Sequence, residues 1–365
     1  MNTVLDEIDS PALLVDLDVV ERNLARGHRR LKAKGVAVWP HVKTHKAPWL
    51  ASLQVRHGAD GITVAKLGEA EVMLEAGIRD ILIDYPLIGA AKTRRLAQLL
   101  ERGARIRVAL DSLESIATVA RAARLTGTTV DVLVEVDTGL HRVGVTTCQE
   151  AVTLARDIVN QQGLRFQGVA SFAGHIGRAQ TEAERQEILQ AESRIVETTV
   201  EALHSAGLAP TVVSLGGTHH LARLDQLGPC TELRPGTYIT NDRTVLTSGS
   251  CEPSDCALTV LVTVVSRRPT WAVIDGGSKT FSSDPHPDGG FGLIVGHPQW
   301  RFAWCNEEHG VIVWPADDEG PRIGQRLQVI PNHACPVFNL HPRAYGVRSG
   351  VATTDIAVAA QSMVQ

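Results

Sequence analysis

A lysine with polar neighbours closes an apolar run near the start of the chain, where residues 36–43 read VAVWPHVK. The run predicts a buried strand, on which Trp39, His41 and Lys43 share one face because side chains alternate with a period of two. A lysine at such a position is unfavourable unless it is paired or deprotonated, and a partly desolvated lysine is the nucleophile that forms a Schiff base with a carbonyl group. Lys43 is therefore a candidate catalytic residue, with pairing to Asp137 or extension to solvent as the alternative.

A turn of small residues, Gly216-Gly217-Thr218, follows a later apolar run, and Tyr238 follows the next one. Glycine lets backbone N–H groups approach a phosphate, and the loops after the seventh and eighth strands of a barrel commonly form a phosphate site. A phosphate pocket on the same rim as a strand-end lysine indicates pyridoxal 5'-phosphate, because this cofactor needs both a lysine and a phosphate anchor.

A possible metal site is the pair His333 and Cys335, which are two residues apart in the sequence PNHACP. If this segment is a strand, both side chains lie on one face. Imidazole and thiolate are ligands that suit zinc, although a buried cysteine without a metal is also common. The spacing therefore raises a zinc hypothesis and leaves the structural alternative open.

Eight short apolar, β-branched runs recur between residues 36 and 239, and segments with helical periodicity separate most of them. The runs cover residues 36–43, 61–66, 80–86, 105–111, 130–137, 165–172, 211–217 and 232–239. Continuous apolar strands that alternate with amphipathic helices indicate a parallel sheet whose outer face is covered. Eight such units predict an α/β fold with a (β/α)8 TIM barrel, and an open doubly wound sheet is the alternative.

Beyond residue 240 the apolar runs follow one another without helical segments, separated by clusters of Gly, Pro and Asp. This change predicts a second, all-β domain at the C-terminus. We expect the barrel over residues 18–240 and the β domain over residues 241–365. The strand expected at residues 12–17 precedes the first barrel helix, so we assign residues 1–17 to the β domain.

The composition of the 365 residues is that of an ordinary globular protein with a formal net charge of -4. It provides no basic face for nucleic acid. The N-terminus lacks the basic and apolar segments of a signal peptide, and no apolar run approaches the roughly 18 residues that a membrane span needs. The six cysteines show no CxxC spacing, which indicates reduced thiols. We expect a cytoplasmic protein without nucleic-acid or membrane partners.

Nine segments that span nearly the whole chain resemble, in the same order, the D-serine dehydratase and D-threonine aldolase family. The segments are PHVKTHK, ITVAKLGEAE, VEVDTGLHRVGV, FAGH, GGT, TELRPGTYI, IDGGSKTFSSD, EEHG and PNHACP. The members are fold-type III pyridoxal-phosphate enzymes, related to alanine racemase. The resemblance implies the same barrel and β-domain plan, and a homodimer whose active sites form between one barrel and a β domain.

The resemblance also implies roles for individual residues. Lys43 would bind pyridoxal 5'-phosphate covalently, and Arg142 would lie beside the cofactor ring. His41 and His175, both at strand ends, are the further catalytic candidates. The phosphate would be held by Gly216, Gly217, Thr218 and Tyr238, and the metal by His333 and Cys335.

The implied reaction is the elimination of water from a D-β-hydroxy amino acid, which gives a 2-oxo acid and ammonia. Zinc at His333 and Cys335 would act as a Lewis acid on the β-oxygen. Retro-aldol cleavage to glycine and an aldehyde would use the same groups and is the alternative, and a pyridoxal-phosphate-binding protein without turnover is a third hypothesis. Aldolase members often carry a carboxylate in place of the thiolate and accept manganese, so Cys335 favours zinc and the dehydratase.

Two adjacent histidines, His219 and His220, follow the Gly216-Gly217-Thr218 turn. The family more often has a small residue or a proline there. The sequence assigns neither histidine a role.

Overall fold

The computed structural model describes residues 3–365, which form two compact units. We call them the barrel unit and the antiparallel unit. The barrel unit contains Arg26–Lys43, Ala51–Gly236 and Met363–Gln365. The antiparallel unit contains residues 3–25, Thr44–Leu50 and Thr237–Ser362.

The strands of the described residues are numbered in chain order. They are β1 (Thr3–Val4), β2 (Ala12–Asp16), β3 (Ala37–Val38), β4 (Ile62–Val64), β5 (Asp80–Ile83), β6 (Arg105–Leu110), β7 (Val130–Val136), β8 (Leu164–Ser171), β9 (Val212–Gly216), β10 (Glu232–Arg234), β11 (Leu258–Arg267), β12 (Trp271–Ile274), β13 (Gly292–Ile294), β14 (Arg301–Cys305), β15 (Gly310–Val313), β16 (Arg326–Pro331), β17 (Arg343–Arg348) and β18 (Val351–Ala357).

The α-helices are numbered in the same way. They are α1 (Leu17–Ala33), α2 (Pro48–Arg56), α3 (Leu67–Glu75), α4 (Ala90–Glu101), α5 (Leu113–Thr126), α6 (Cys148–Val159), α7 (Glu182–Ser205), α8 (Thr218–Ala222), α9 (Arg243–Thr247), α10 (Ser278–Phe281) and α11 (Ala334–Leu340). Within residues 3–365, none of these helices combines the length and the apolar character that a membrane crossing requires.

The barrel unit is built on one parallel sheet with the strand order β3-β10-β9-β8-β7-β6-β5-β4. An isolated parallel bridge between His41 and Thr63 joins the two ends of this sheet, where the N–H of Thr63 donates to the carbonyl of Pro40 at 2.8 Å. The predicted eight-stranded barrel is therefore confirmed, and the open doubly wound sheet is not the fold. The strands lie in the order in which the eight apolar runs occur.

Several helices of the barrel unit begin and end where the sequence provides caps. Thr147 and Glu150 form a reciprocal capping box at the start of α6, and Thr181 and Glu184 do the same for α7. Each box satisfies backbone N–H groups that the first helical turn leaves without partners. Gly127 ends α5 with a φ of 65°, a left-handed conformation that glycine adopts without strain.

Two of the expected strands are shorter than predicted because proline interrupts them. The first, expected over residues 36–43, ends at Val38, and Lys43 lies in the 3-10 turn Val42–Thr44. Pro40 has no N–H to donate to a neighbouring strand. The eighth strand likewise ends before Pro235, which places Tyr238 in a 3-10 turn.

The antiparallel unit contains the ten remaining strands in one connected sheet. β2 pairs antiparallel with β11 and parallel with β17, so the N-terminal strand lies in this sheet. One core cluster consists of Ile8, Ala12, Leu14, Leu261, Val347 and Ala352. The domain limits at residues 17 and 240 stay a prediction.

Candidate active site

The side chains of Lys43 and Arg142 meet on one aromatic ring in the barrel unit. The Nζ atom of Lys43 is 5.5 Å from the ring centroid of Phe172, and the guanidinium carbon of Arg142 is 5.1 Å from the same centroid. Phe172 directly follows β8, and Arg142 lies in the loop after β7. Both cations are within the range in which an aromatic face attracts positive charge. Sequence reasoning missed Phe172 as their common contact.

His41 is buried next to Lys43 and is neutral. Its Nδ1 accepts a hydrogen bond from the backbone N–H of Lys43 at 3.5 Å, and its Nε2 is 3.9 Å from Oδ2 of Asp84. Burial, followed by the positive charges of Lys43 and Arg234, holds the pKa of His41 well below the ordinary value of 6.5. Because Nδ1 accepts, the single proton is on Nε2, which faces Asp84.

A buried ion pair lies further inside the barrel, between Nε of Arg234 and Oδ2 of Asp84 at 3.5 Å. The guanidinium of Arg234 also donates to the carbonyls of Ser214 at 2.7 Å and Ser171 at 2.9 Å. Glu135 is the third ionisable group of this interior. Burial, and then the charge of Asp84, raise the pKa of Glu135 to about 8.

Glu135 is therefore protonated at neutral pH, and its Oε2 is buried without a hydrogen-bond partner. Sequence reasoning assigned no role to Glu135 or Arg234. The signal for Glu135 is its position on β7: Leu133, Glu135 and Asp137 share the parity that faces the interior of a barrel strand. No comparable pattern marks Arg234, because β10 has only three residues.

The turn after β9 has the bare surface expected of a phosphate site. A Cβ atom on Gly216 would lie 2.6 Å from the Phe172 ring, and one on Gly217 would lie 3.0 Å from Nδ1 of His220. Gly217 has a φ of 111°, which favours glycine. The hydroxyl of Thr218 is buried and has no hydrogen-bond partner. Bare glycines beside an unsatisfied hydroxyl fit the phosphate of pyridoxal 5'-phosphate.

The loops after β7 and β8 place two further histidines near each other. His175 lies in the 3-10 turn Gly174–Arg178, and its Cε1 is 3.5 Å from the position of a Cβ on Gly139. Burial lowers the pKa of His175, and its Nδ1 has no hydrogen-bond partner. His141 is exposed and pairs with Asp137, from Nδ1 to Oδ2, at 2.9 Å.

The metal candidates lie in the antiparallel unit at the start of a helix, so the expected strand is wrong. β16 ends at Pro331, His333 is the N-cap residue of α11, and Cys335 lies in its first turn. The two side chains nevertheless form a hydrogen bond with each other. The thiol of Cys335 also contacts the hydroxyl of Thr44, at 3.6 Å.

The surroundings of His333 are negatively charged. Burial lowers the pKa of His333, but the Cys335 sulfur, through its charge and hydrogen bond, and then Asp242 and Asp284 raise the pKa to about 9. Asp242 is buried and accepts the N–H of Ala334 at 2.9 Å. An imidazole and a thiolate among carboxylates form a donor set that fits a divalent cation. Within residues 3–365, no group of three or more His, Cys, Asp or Glu side chains is placed to hold a metal.

An eight-stranded barrel with a lysine after its first strand, in a chain that also forms an antiparallel sheet, defines the alanine-racemase class of proteins. Residues 15–244 match the family model of the alanine racemase N-terminal domain, and residues 257–347 match that of the serine dehydratase domain. The chain belongs to the D-serine dehydratase and D-threonine aldolase family, whose members are lyases. The resemblance seen in the sequence is thereby confirmed.

Similar proteins include members of both branches of the family. The D-threonine aldolase of Arthrobacter sp is 33% identical over 95% of this chain and 91% of its own. The D-threo-3-hydroxyaspartate dehydratase of Delftia sp. (strain HT23) is 34% identical over 92% and 93%. The crystal structure of D-threonine aldolase from Filomicrobium marinum is 33% identical, has a TM-score of 0.93, and covers 100% of this chain and 99% of its own. A cysteine-to-alanine mutant of a D-threo-3-hydroxyaspartate dehydratase has been solved in the metal-free form, with a TM-score of 0.87, 31% identity and coverage of 97% of this chain and 98% of its own.

Proposed function

We propose that this protein is a pyridoxal-phosphate- and zinc-dependent lyase that eliminates water from a D-β-hydroxy amino acid. One observation carries this proposal. Lys43 and Arg142 meet on Phe172, against which Gly216 of the phosphate turn also packs, in a chain that matches lyases of D-β-hydroxy amino acids along its length.

Lys43 is the covalent attachment point for the cofactor, and Arg142 neutralises charge beside its ring. When bound, pyridoxal 5'-phosphate delocalises the negative charge that develops at the substrate α-carbon. The amine of Lys43 would accept the α-proton of the substrate. Neutral His41 assists this step in two ways. It adds no positive charge next to Lys43, and its Nδ1 accepts the backbone N–H of Lys43, which fixes the Val42–Thr44 turn. His175 is a candidate contact for the substrate.

The phosphate of the cofactor is proposed to bind at Gly216, Gly217 and Thr218. The unsatisfied hydroxyl of Thr218 supports this assignment in the barrel unit. Tyr238, which is buried in the antiparallel unit, stays a proposed phosphate ligand on the strength of the family resemblance. We also propose a homodimer in the cytoplasm, which the family resemblance and the composition support.

His333 and Cys335 are the proposed metal ligands. A zinc ion there would supply a Lewis acid for the β-oxygen of the substrate, and Mn²⁺ or another divalent metal is the alternative ion. The metal-free form solved for the cysteine mutant of a D-threo-3-hydroxyaspartate dehydratase supports a metal in this family.

The metal assignment can be tested by the bound zinc content of variants. Cys335→Ala should lower zinc affinity by at least about 10- to 100-fold, since even outer partners of a ligand contribute that much. Cys335→Asp should restore metal binding and shift the preference towards Mn²⁺, because a carboxylate is a harder ligand. Cys148→Ala, which removes a thiol of the barrel unit, is the matched control. Unchanged zinc content in Cys335→Ala would show that the metal binds elsewhere.

Retro-aldol cleavage to glycine and an aldehyde is the second candidate function, because two of the similar proteins are D-threonine aldolases. Product analysis separates the two reactions. D-serine, D-threonine and D-threo-3-hydroxyaspartate are supplied with zinc, manganese or a chelator, and L-isomers serve as controls. A 2-oxo acid with ammonia supports the dehydratase, whereas glycine as the main product establishes the aldolase. Absence of any product, with the cofactor bound, would leave a non-catalytic pyridoxal-phosphate-binding protein.

A further inference from the structure

His220 and Glu192 form a buried pair directly behind the phosphate turn of the barrel unit. The Nε2 atom of His220 is 2.6 Å from Oε2 of Glu192, and the hydroxyl of Ser171 donates to the other carboxylate oxygen at 2.6 Å. The side chains of His220 and Glu192 are 0% and 1% exposed. The imidazole ring is therefore fixed in one orientation by a carboxylate that is itself held from both sides.

The second ring nitrogen of His220 faces Gly217. This Nδ1 atom is buried and has no hydrogen-bond partner. It is the nearest atom to the position of a Cβ on Gly217, at 3.0 Å. The hydroxyl of Thr218 is a second buried group without a partner in the same turn. Buried polar groups in native proteins are nearly always satisfied, so two such atoms around one glycine point to a ligand.

The hydrogen bonds at this pair keep Glu192 ionised. Burial raises the pKa of Glu192, but the charge of His220 and the hydrogen bonds from His220 and Ser171 lower it below its ordinary value. Glu192 is thus a carboxylate, and it accepts a hydrogen bond from the N–H at Nε2 of His220. A phosphate oxygen can accept a hydrogen bond from an imidazole N–H, and hydrogen bonds to a charged acceptor are stronger than neutral ones.

We propose that His220, held by Glu192, recognises the phosphate of the cofactor together with the hydroxyl of Thr218. This inference rests on the proposed function, because it assumes that pyridoxal 5'-phosphate binds at the turn. It gives a role to a histidine in a segment where the family more often has a small residue or a proline.

The test compares two ligands that differ only in the phosphate. The full-length chain, stripped of cofactor, is titrated with pyridoxal 5'-phosphate and with pyridoxal. His220→Gln keeps an amide near the position of Nε2, which can still contact Glu192, but lacks Nδ1. It should bind pyridoxal 5'-phosphate about 10- to 100-fold more weakly, the loss expected for one hydrogen bond to a charged group, and pyridoxal as the wild type does. The phosphorus NMR resonance of the bound phosphate should also shift.

A second variant imitates the other ring nitrogen of His220. His220→Asn places an amide near the position of Nδ1 and should retain more phosphate affinity than His220→Gln. His204→Gln, at an exposed histidine of α7, is the control and should match the wild type. Thermal unfolding of each variant checks that it is folded.

Each other outcome overturns the inference in a recognisable way. If His220→Gln binds both ligands like the wild type, His220 does not recognise the phosphate, and the proposed function is unaffected. If affinity for pyridoxal falls equally, His220 only supports the structure. If His220→Gln does not fold and His220→Asn binds pyridoxal 5'-phosphate no better than pyridoxal, the donor at Nδ1 is not what recognises the phosphate. If the wild type fails to bind pyridoxal 5'-phosphate, the proposed function fails as well.

Discussion

The cofactor candidates of the barrel unit and the metal pair of the antiparallel unit are built in different ways. The cofactor candidates come from four separate strands or the segments that follow them, namely Lys43, Arg142, Phe172 and Gly216. They meet only because the sheet closes into a barrel. His333 and Cys335 come from three consecutive residues at the start of one helix. The first site depends on the whole barrel, whereas the second depends on a local segment.

Their electrostatic surroundings differ as well. The barrel interior holds both signs of charge, with Arg234 against Asp84 and Arg107 against Glu232, in addition to apolar side chains such as Leu82 and Leu133. The surroundings of His333 are negative. The first arrangement balances its own charge and suits an organic cofactor with several polar groups, while the second needs a cation.

Lys43→Ala gives the largest expected effect and separates the two sites. Turnover should fall by at least about 10³-fold, because both the attachment point and the base for the α-proton are lost. The visible absorbance of the lysine-bound cofactor should disappear, while the zinc content stays that of the wild type. Lys34→Ala, at an exposed lysine paired with Asp225, is the control and should change neither signal. Loss of zinc in Lys43→Ala would mean that the two sites are not independent.

Arg107→Met tests whether the charges of the barrel interior stabilise the fold. Nη1 of Arg107 is 2.6 Å from Oε2 of buried Glu232, and its guanidinium carbon lies 4.4 Å from the centroid of the Trp39 ring. The substitution leaves a buried carboxylate without its counter-charge, which should cost about 3–5 kcal/mol of unfolding free energy in denaturant titrations. The double variant Arg107→Met/Glu232→Gln should recover part of this loss.

An exposed ion pair of the antiparallel unit is the matched control for this prediction. Lys279 contacts Glu308 at 2.7 Å, and both side chains are more than half exposed. Lys279→Ala should leave the unfolding free energy unchanged within error, because solvent screens such pairs. Equal effects of Arg107→Met and Lys279→Ala would contradict a structural role for the interior charges.

The local features of the molecule could be predicted from the sequence. Eight apolar runs between helical segments were enough to predict the barrel, because each β/α unit consists of contiguous residues. Lys43 and the Gly216-Gly217-Thr218 turn could be selected because strand ends of a barrel converge on one rim. The closeness of His333 and Cys335 was also correct, although a helix start, and not a strand, brings them together.

The contacts between distant strands could not be predicted. Phe172 meets Lys43 and Arg142, and Arg234 meets Asp84, only through the register of strands that are far apart in the chain. The turn at Val42–Thr44 was missed because the two-residue alternation of side chains in the sequence continues past Pro40, although proline cannot continue the hydrogen-bond ladder of a strand. Glu135 could have been found from its parity on β7, but its protonation depends on burial that no single segment shows.

Glu135→Gln should change how stability varies with pH. The pKa of Glu135 is raised from 4.5 to about 8, first by burial and then by the charge of Asp84. Between these two values the folded protein keeps a proton that the unfolded chain has lost, so the wild type loses stability as the pH rises. The slope from this one proton is at most about 1.4 kcal/mol per pH unit.

The variant has no proton to lose at this position, so the wild type should become less stable relative to Glu135→Gln as the pH is raised through this window. Unfolding free energies measured in denaturant across the window give the difference directly, and it should become constant above the raised pKa. Glu201→Gln, at an exposed position on α7, should give a difference that does not vary with pH. A flat difference for Glu135→Gln would show that Glu135 is ionised in the folded barrel. The charges of Arg234 and Arg142, which lower the pKa of Glu135, would then outweigh its burial and the charge of Asp84.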